Sequence, residues 1–220
     1  MTPPLAERLR PKKLNDLIGQ EHLTGKGSVL RNSIENGKIP SMILWGPPGV
    51  GKTTIANIIA KTLGFPFYTL SAISSGVKEV REVIEESKQI ENAILFIDEI
   101  HRFNKGQQDA LLGAVEKGVI TLIGATTENP SFEVNSALLS RCQVYILKPL
   151  EKESLILLLK HAIKDDKILS QKNIELNETE ALLNLSGGDA RKLLNLLELA
   201  FNQQLLENQE LSKTLVITDE

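Results

Sequence analysis

The sequence predicts an α/β protein, a mostly parallel sheet flanked by helices and followed by a small all-α domain. Three observations carry this. Short apolar runs alternate with amphipathic stretches across residues 41–149, the pattern of strands joined by crossover helices. The runs are apolar throughout, as strands covered on both faces are. Beyond Pro149 helical periodicity takes over almost completely.

The elements follow in order. Residues 1–40 are polar and broken by Pro3, Pro4, Pro11, Gly19, Gly25, Gly27, Gly37 and Pro40. They read as a leading segment that wraps the core, with one short helix over 28–36. Residues 42–45 form a buried strand stopping at a glycine loop. Ile55, Ile58, Ile59 and Leu63 mark the helix that follows. A strand over 67–70 precedes a helix marked by Val77, Val80, Val83 and Ile84. The strand at 93–98 ends in a carboxylate, and Ala110, Leu111, Ala114 and Val115 line the next helix. Further strands are expected at 119–125 and 144–147. Helices are expected over 155–163, 178–185 and 190–204, with 215–217 the one candidate strand among them. The domains are therefore drawn as 1–149, α/β, and 150–220, helical.

Composition excludes several classes. A hydrophobic fraction of 41% and a charged fraction of 24% are those of a globular protein, not a disordered one. A net charge of -3 and a pI near 5.8 argue against whole-surface attraction to nucleic acid, though a local basic patch remains compatible with DNA. The single cysteine, Cys142, can form neither an internal disulfide nor a four-cysteine zinc module. The longest aliphatic run, 155–159, is far short of the roughly 20 residues that cross a bilayer. No apolar leader follows Met1, so the chain is expected to stay where it is made.

Two motifs carry the chemistry. Gly46-Pro47-Pro48-Gly49-Val50-Gly51-Lys52-Thr53 fits the phosphate-binding loop pattern between a strand and a helix. Its glycines let backbone N–H groups turn toward phosphate oxygens, and the helix N-terminus adds partial positive charge. Lys52 can reach the β- and γ-phosphates of ATP, and the Thr53 hydroxyl can ligate Mg²⁺. Thr54 continues the cradle. The second motif is the apolar strand ending in Asp98 and Glu99, which delivers two acids to the edge of the sheet where ligands bind. Asp98 holds Mg²⁺ directly or through water, and Glu99 polarises the attacking water.

With these residues in view, the chain resembles an AAA+ P-loop NTPase, and specifically the replication-associated recombination protein A family, which is related to Werner-helicase-interacting proteins. The matching stretches are LAERLRPKKLNDLIGQEHL at 5–23, SMILWGPPGVGKTT at 41–54, ILFIDEIHRFNKGQQDALL at 94–112, IGATTENPSFEVNSALLSRC at 123–142 and GGDARKLLNLLE at 187–198. The resemblance implies a lid for the helical domain. It implies a sensor threonine near the γ-phosphate within Gly124-Ala125-Thr126-Thr127, with Thr127 favoured. Arg141 resembles the finger that reaches a neighbouring subunit's ATP, and Arg191 resembles the second sensor at the start of a lid helix. The segment around Ile18 resembles the part that packs on adenine; hinge packing is the alternative.

The same resemblance implies a DNA-dependent ATPase at stalled or gapped replication forks. It implies a homo-oligomer with sites at subunit interfaces, working with single-strand-binding protein and the replication machinery. The setting is cytoplasmic and nucleoid-associated. It also implies a further C-terminal oligomerisation region about as long again as this chain, so the chain is expected to be a truncated form whose last residues, from Val216, begin a lid helix. Clamp-loader and branch-migration readings share the Ala-Thr-Thr or Ser-Arg-Cys stretches, and a nucleotide-switched interaction module without turnover stands beside them. His101 is expected to serve packing or hydrogen bonding, Cys142 to lie buried beside the finger, and the turn 102–106 to be either a DNA contact or a solvated loop.

Overall fold

The computed structural model describes residues 2–207 and 215–218. The chain divides into two compact units, one of residues 12–148 and one of residues 1–11 with 149–220.

The first unit is built on β1 (Met42–Trp45), α1 (Lys52–Leu63), β2 (Phe67–Ser71), α2 (Val77–Ser87), β3 (Ile94–Asp98), α3 (Lys105–Glu116), β4 (Thr121–Thr126) and β5 (Gln143–Ile146). The strands run in the order β2-β3-β4-β1-β5, and every neighbouring pair is parallel. β1 lies inside the sheet because all four of its residues are apolar and its crossover helix takes the chain away from it. Side chains alternate between faces. Ile43, Leu95, Ile97 and Leu122 pack with Val80 of α2, Leu111 and Ala114 of α3 and Leu138 in one core. The intervening Met42, Leu44, Ile94, Phe96 and Ile123 are also buried, on the other face, where α1 brings Ile55, Ile58 and Ile59 against β3 and β4. A reciprocal cap starts α3: Asn104 Oδ1 accepts from Gln107 N at 3.0 Å, and Gln107 Oε1 accepts from Asn104 N at 2.9 Å.

The register decides where function can sit. Trp45 is aligned with Thr126 and Ser71 with Asp98, so β1, β3 and β4 release their chains at the same edge. The parallel α/β sheet expected from the sequence is what forms, with boundaries moved by one or two residues.

The second unit holds α4 (Lys152–Asp165), β6 (Ile174–Leu176), α5 (Glu180–Ser186), α6 (Ala190–Glu207) and β7 (Leu215–Ile217). Two expectations are corrected here. The unit is not purely helical, because β6 and β7 pair in parallel; 215–217 is the strand it was expected to be, so Val216 does not begin a helix. Residues 219–220 lie outside the described residues.

Residues 1–11 cluster with residues 149–220 and not with the sheet. Their anchor is electrostatic. The Arg8 guanidinium holds both carboxylate oxygens of Asp166, at 2.7 and 3.0 Å, and Glu198 Oε1 at 2.7 Å, while Leu5 N donates to Glu198 Oε2 at 2.9 Å. Among the described residues no helix is long and apolar enough to cross a membrane.

Candidate nucleotide site

Residues 46–51 leave β1 and turn into α1. Gly46 N donates to Thr126 O at 3.1 Å, tying the start of the loop to the end of β4. A side chain at Gly46 would strike the Leu147 carbonyl, so only glycine lets the loop pass. Gly51 stands at φ 105°, a conformation that L side chains rarely adopt, at the point where α1 begins. The backbone N–H groups of the first turn of α1 have no helical acceptor of their own and carry partial positive charge. Lys52 is buried, and its ammonium donates to Gly46 O at 2.6 Å and Pro47 O at 2.7 Å. It therefore braces the loop from inside. Thr53 and Thr54 are half-buried beside it.

Asp98 closes β3, half-buried, and its carbonyl accepts from Ala72 N at 3.1 Å. Glu99 then leaves the strand at φ 56° and ψ 46°, a left-handed conformation that costs a non-glycine residue about 1 to 2 kcal/mol. From this turn its carboxylate lies beside Thr127 and His101. Thr127 Oγ1 lies 3.5 Å from Glu99 Oε2, and His101 Nδ1 lies 3.3 Å from the same oxygen. The two threonines of the sensor stretch differ. Thr126 is fully buried, and its hydroxyl faces Glu128 N at 3.0 Å, Glu128 O at 3.2 Å and His101 Nδ1 at 3.0 Å. Thr127 is half-buried and turned toward Glu99.

The donor set fits a hard cation that takes most of its ligands elsewhere. Among the described residues no group of three or more His, Cys, Asp or Glu gathers as a metal site, so protein ligands alone would not hold one. One hydroxyl (Thr53) and one carboxylate (Asp98) suit Mg²⁺, which keeps waters and binds substrate phosphates.

The remaining sequence-derived residues are spread out. Ile18 is half-buried. Its neighbour Gln20 is fully buried and lies close to the loop, with Nε2 at 3.4 Å from Val50 O. Arg141 is partly exposed beyond the short helix Ser136–Leu139; it pairs with Glu116 at the end of α3 and donates to Ala137 O at 2.6 Å. Burial of the neighbouring Cys142 pushes its thiol up to about 11, so at neutral pH it is protonated and unreactive. Arg191 is exposed in the first turn of α6, in the other unit. His101 makes the kind of hydrogen bond expected of it; sequence reasoning missed the contact of Glu116 and gave Gln20 no individual role.

The matches with known proteins follow this geometry. The ATPase family associated with various cellular activities (AAA) matches residues 42–150. Replication-associated recombination protein A of Coxiella burnetii is 50% identical over 210 residues, covering 93% of this chain and 48% of that protein. The chain belongs to this family of AAA+ ATPases. Kinship extends to eukaryotes: the ATPase WRNIP1 of Dictyostelium discoideum is 46% identical over 203 residues, which cover 90% of this chain and 23% of that one. Among solved structures, the RuvB Holliday junction branch migration motor of Thermotoga maritima aligns with a TM-score of 0.74 and 32% identity, over 93% of this chain and 69% of that one. The chain spans about half the length of the recombination protein A relative. Family membership accounts for the nucleotide-binding fold; the residue roles rest on the geometry above.

Proposed function

We propose that this chain is the ATP-hydrolysing portion of a DNA-dependent motor acting in replication-associated recombination, at stalled or gapped forks. The observation that carries the reading is convergence. β1, β3 and β4 end at one edge and deliver the loop at 46–53, Asp98 with Glu99, and Thr127 together.

In this reading the loop N–H groups and Lys52 hold the ATP phosphates, while Thr53 and Asp98 hold Mg²⁺. Glu99 orients the attacking water and Thr127 senses the γ-phosphate. The separate position of Arg141 on the surface supports a role in trans, completing the site of a second copy in a homo-oligomer. Arg191 serves as the second sensor and Ile18 packs on adenine. DNA as partner is supported by the names of the relatives, which concern recombination and branch migration. A single-strand-binding protein and the replication machinery are further partners in this reading, in a cytoplasmic setting.

The test is ATP turnover measured against protein concentration, with and without forked DNA, for this chain and a C-terminally extended one. Specific activity rising with concentration and with fork supports the reading. Activity strictly proportional to concentration and indifferent to DNA removes the interface and the DNA dependence.

A second reading has one observation in its favour. Arg141 is engaged in cis by Glu116, so the chain by itself binds ATP as a switch without useful turnover. Tight nucleotide binding with no turnover at any concentration would select it.

A further inference from the structure

The turn after Glu99 is immediate. Arg102 N donates to Glu99 O at 2.9 Å and Phe103 N to Ile100 O at 3.1 Å, and Ile100 is fully buried beneath them. This single turn carries the His101 imidazole back beside the carboxylate that precedes it. The ring is largely enclosed, with 12% of its side-chain surface exposed.

One ring nitrogen, Nδ1, faces two oxygens: Thr126 Oγ1 at 3.0 Å and Glu99 Oε2 at 3.3 Å. The proton inventory distinguishes them. Thr126 Oγ1 accepts from Glu128 N at 3.0 Å, and its own hydroxyl proton has the Glu128 carbonyl as acceptor at 3.2 Å. With the hydroxyl proton committed there, Nδ1 is free to be the donor: its hydrogen bond is to Thr126 Oγ1, and the Glu99 carboxylate adds an electrostatic attraction at 3.3 Å.

We propose that His101 carries its proton on Nδ1, held between Thr126 Oγ1 and Glu99 Oε2, and that this makes it the positioning residue for the catalytic carboxylate. This rests on the reading of Glu99 as the group that orients water. His101 and Thr127 both address Oε2, so Oε1 is the oxygen left to accept from the attacking water. Thr126, accepting from the same Nδ1–H at 3.0 Å, fixes the ring to the end of β4. The carboxylate is thereby located by the strand beside it as well as by its own backbone.

Two measurements test this. Long-range ¹H–¹⁵N spectra of histidine-labelled chain, with the His101 signal assigned by its loss in His101→Asn, report which nitrogen holds the proton. The expected result at neutral pH is a protonated Nδ1 in the wild type and a move to the Nε2–H form in Glu99→Ala. A wild-type ring protonated on Nε2 alone overturns the proposal, whether or not the chain turns over.

In turnover assays His101→Leu should lose about 100-fold in kcat with the KM for ATP unchanged, the scale expected for a misplaced reacting group. His101→Asn, whose Nδ2–H stands near the place of Nδ1–H, should stay within a few-fold of wild type. Equal losses in both variants, or a change in KM instead, would make His101 a packing residue. Normal turnover in Glu99→Gln would remove the assignment of the base and leave the spectra to decide the hydrogen bond separately.

Discussion

Gln20 grips Lys148 by both ends of its side-chain amide: Nε2 donates to Lys148 O at 2.7 Å and Oε1 accepts from Lys148 N at 3.1 Å. The same Nε2 reaches toward Val50 O in the phosphate loop, and Gln20 has no exposed surface. Replacing Gln20 with Ala removes the side-chain partners of the part-buried Lys148 N and O and of the buried Val50 O. The loss should be about 3 kcal/mol of stability in urea titration, together with weaker nucleotide binding. Gln20→Glu should not rescue it, because a carboxylate cannot donate to either carbonyl.

Lys52 and Glu99 should separate cleanly by their defects. Lys52→Ala removes both the phosphate contact and the brace on Gly46 and Pro47, and titration with a fluorescent ATP analogue should show no saturable binding. Glu99→Gln keeps the loop intact and should bind ATP normally while losing turnover by about 100-fold or more. If the glutamine variant turned over at the wild-type rate, water activation would belong to another group.

Arg141 lends itself to a mixing experiment. Arg141→Ala should bind nucleotide as wild type does and lose about 1,000-fold in turnover. Mixed with Lys52→Ala, it should regain part of the activity, because one chain contributes an intact loop and the other an intact arginine. No recovery in the mixture would place Arg141 outside its neighbour's site.

The ion cluster of the C-terminal unit predicts a pH dependence. Burial pushes the Asp166 carboxyl up, but hydrogen bonds from Arg8 and from Leu169 and Ile168 N–H outweigh it, and its pKa lies below the usual carboxylate value. The Asp166 hydrogen bond, foremost, raises the Arg8 guanidinium further above its already high value. A lowered folded-state pKa means that the stabilisation is complete above the unfolded value, near about 4, and is lost as pH falls through the folded one. Arg8 keeps its proton across that range. Denaturation midpoints should therefore hold steady from neutral pH to about 4 and then fall. Arg8→Ala, which strands a buried carboxylate, should cost about 3 kcal/mol at pH 7, and Asp166→Asn should flatten the acid limb.

What could be read in advance divides by distance along the chain. The loop at 46–53 and the Asp98-Glu99 pair are local patterns, each bounded by an apolar strand, so their place at the sheet edge was legible. The pairing of β6 with β7 was not, since three residues apiece, with the polar Glu175 between Ile174 and Leu176, give too little period to count. The placement of residues 1–11 was invisible for a different reason: Arg8 finds its partners 158 and 190 residues away. The tie between His101 and Thr126 depends on how β3 and β4 align, which no stretch of either sequence announces. Glu99 carries no sign of its left-handed backbone, because glutamate is not a residue that such a turn selects.

The anchoring of residues 1–11 also bears on how the protein comes into being. Residues 1–11 are made before the groups that hold them, for Arg8 cannot meet Glu198 until almost the whole described chain has been made. Residues 12–148 form one uninterrupted stretch and can fold while synthesis continues. The leading eleven residues must wait, unpaired, through that interval. A nascent chain halted before residue 198 should thus present a finished sheet while Arg8 still lacks its Glu198 partner.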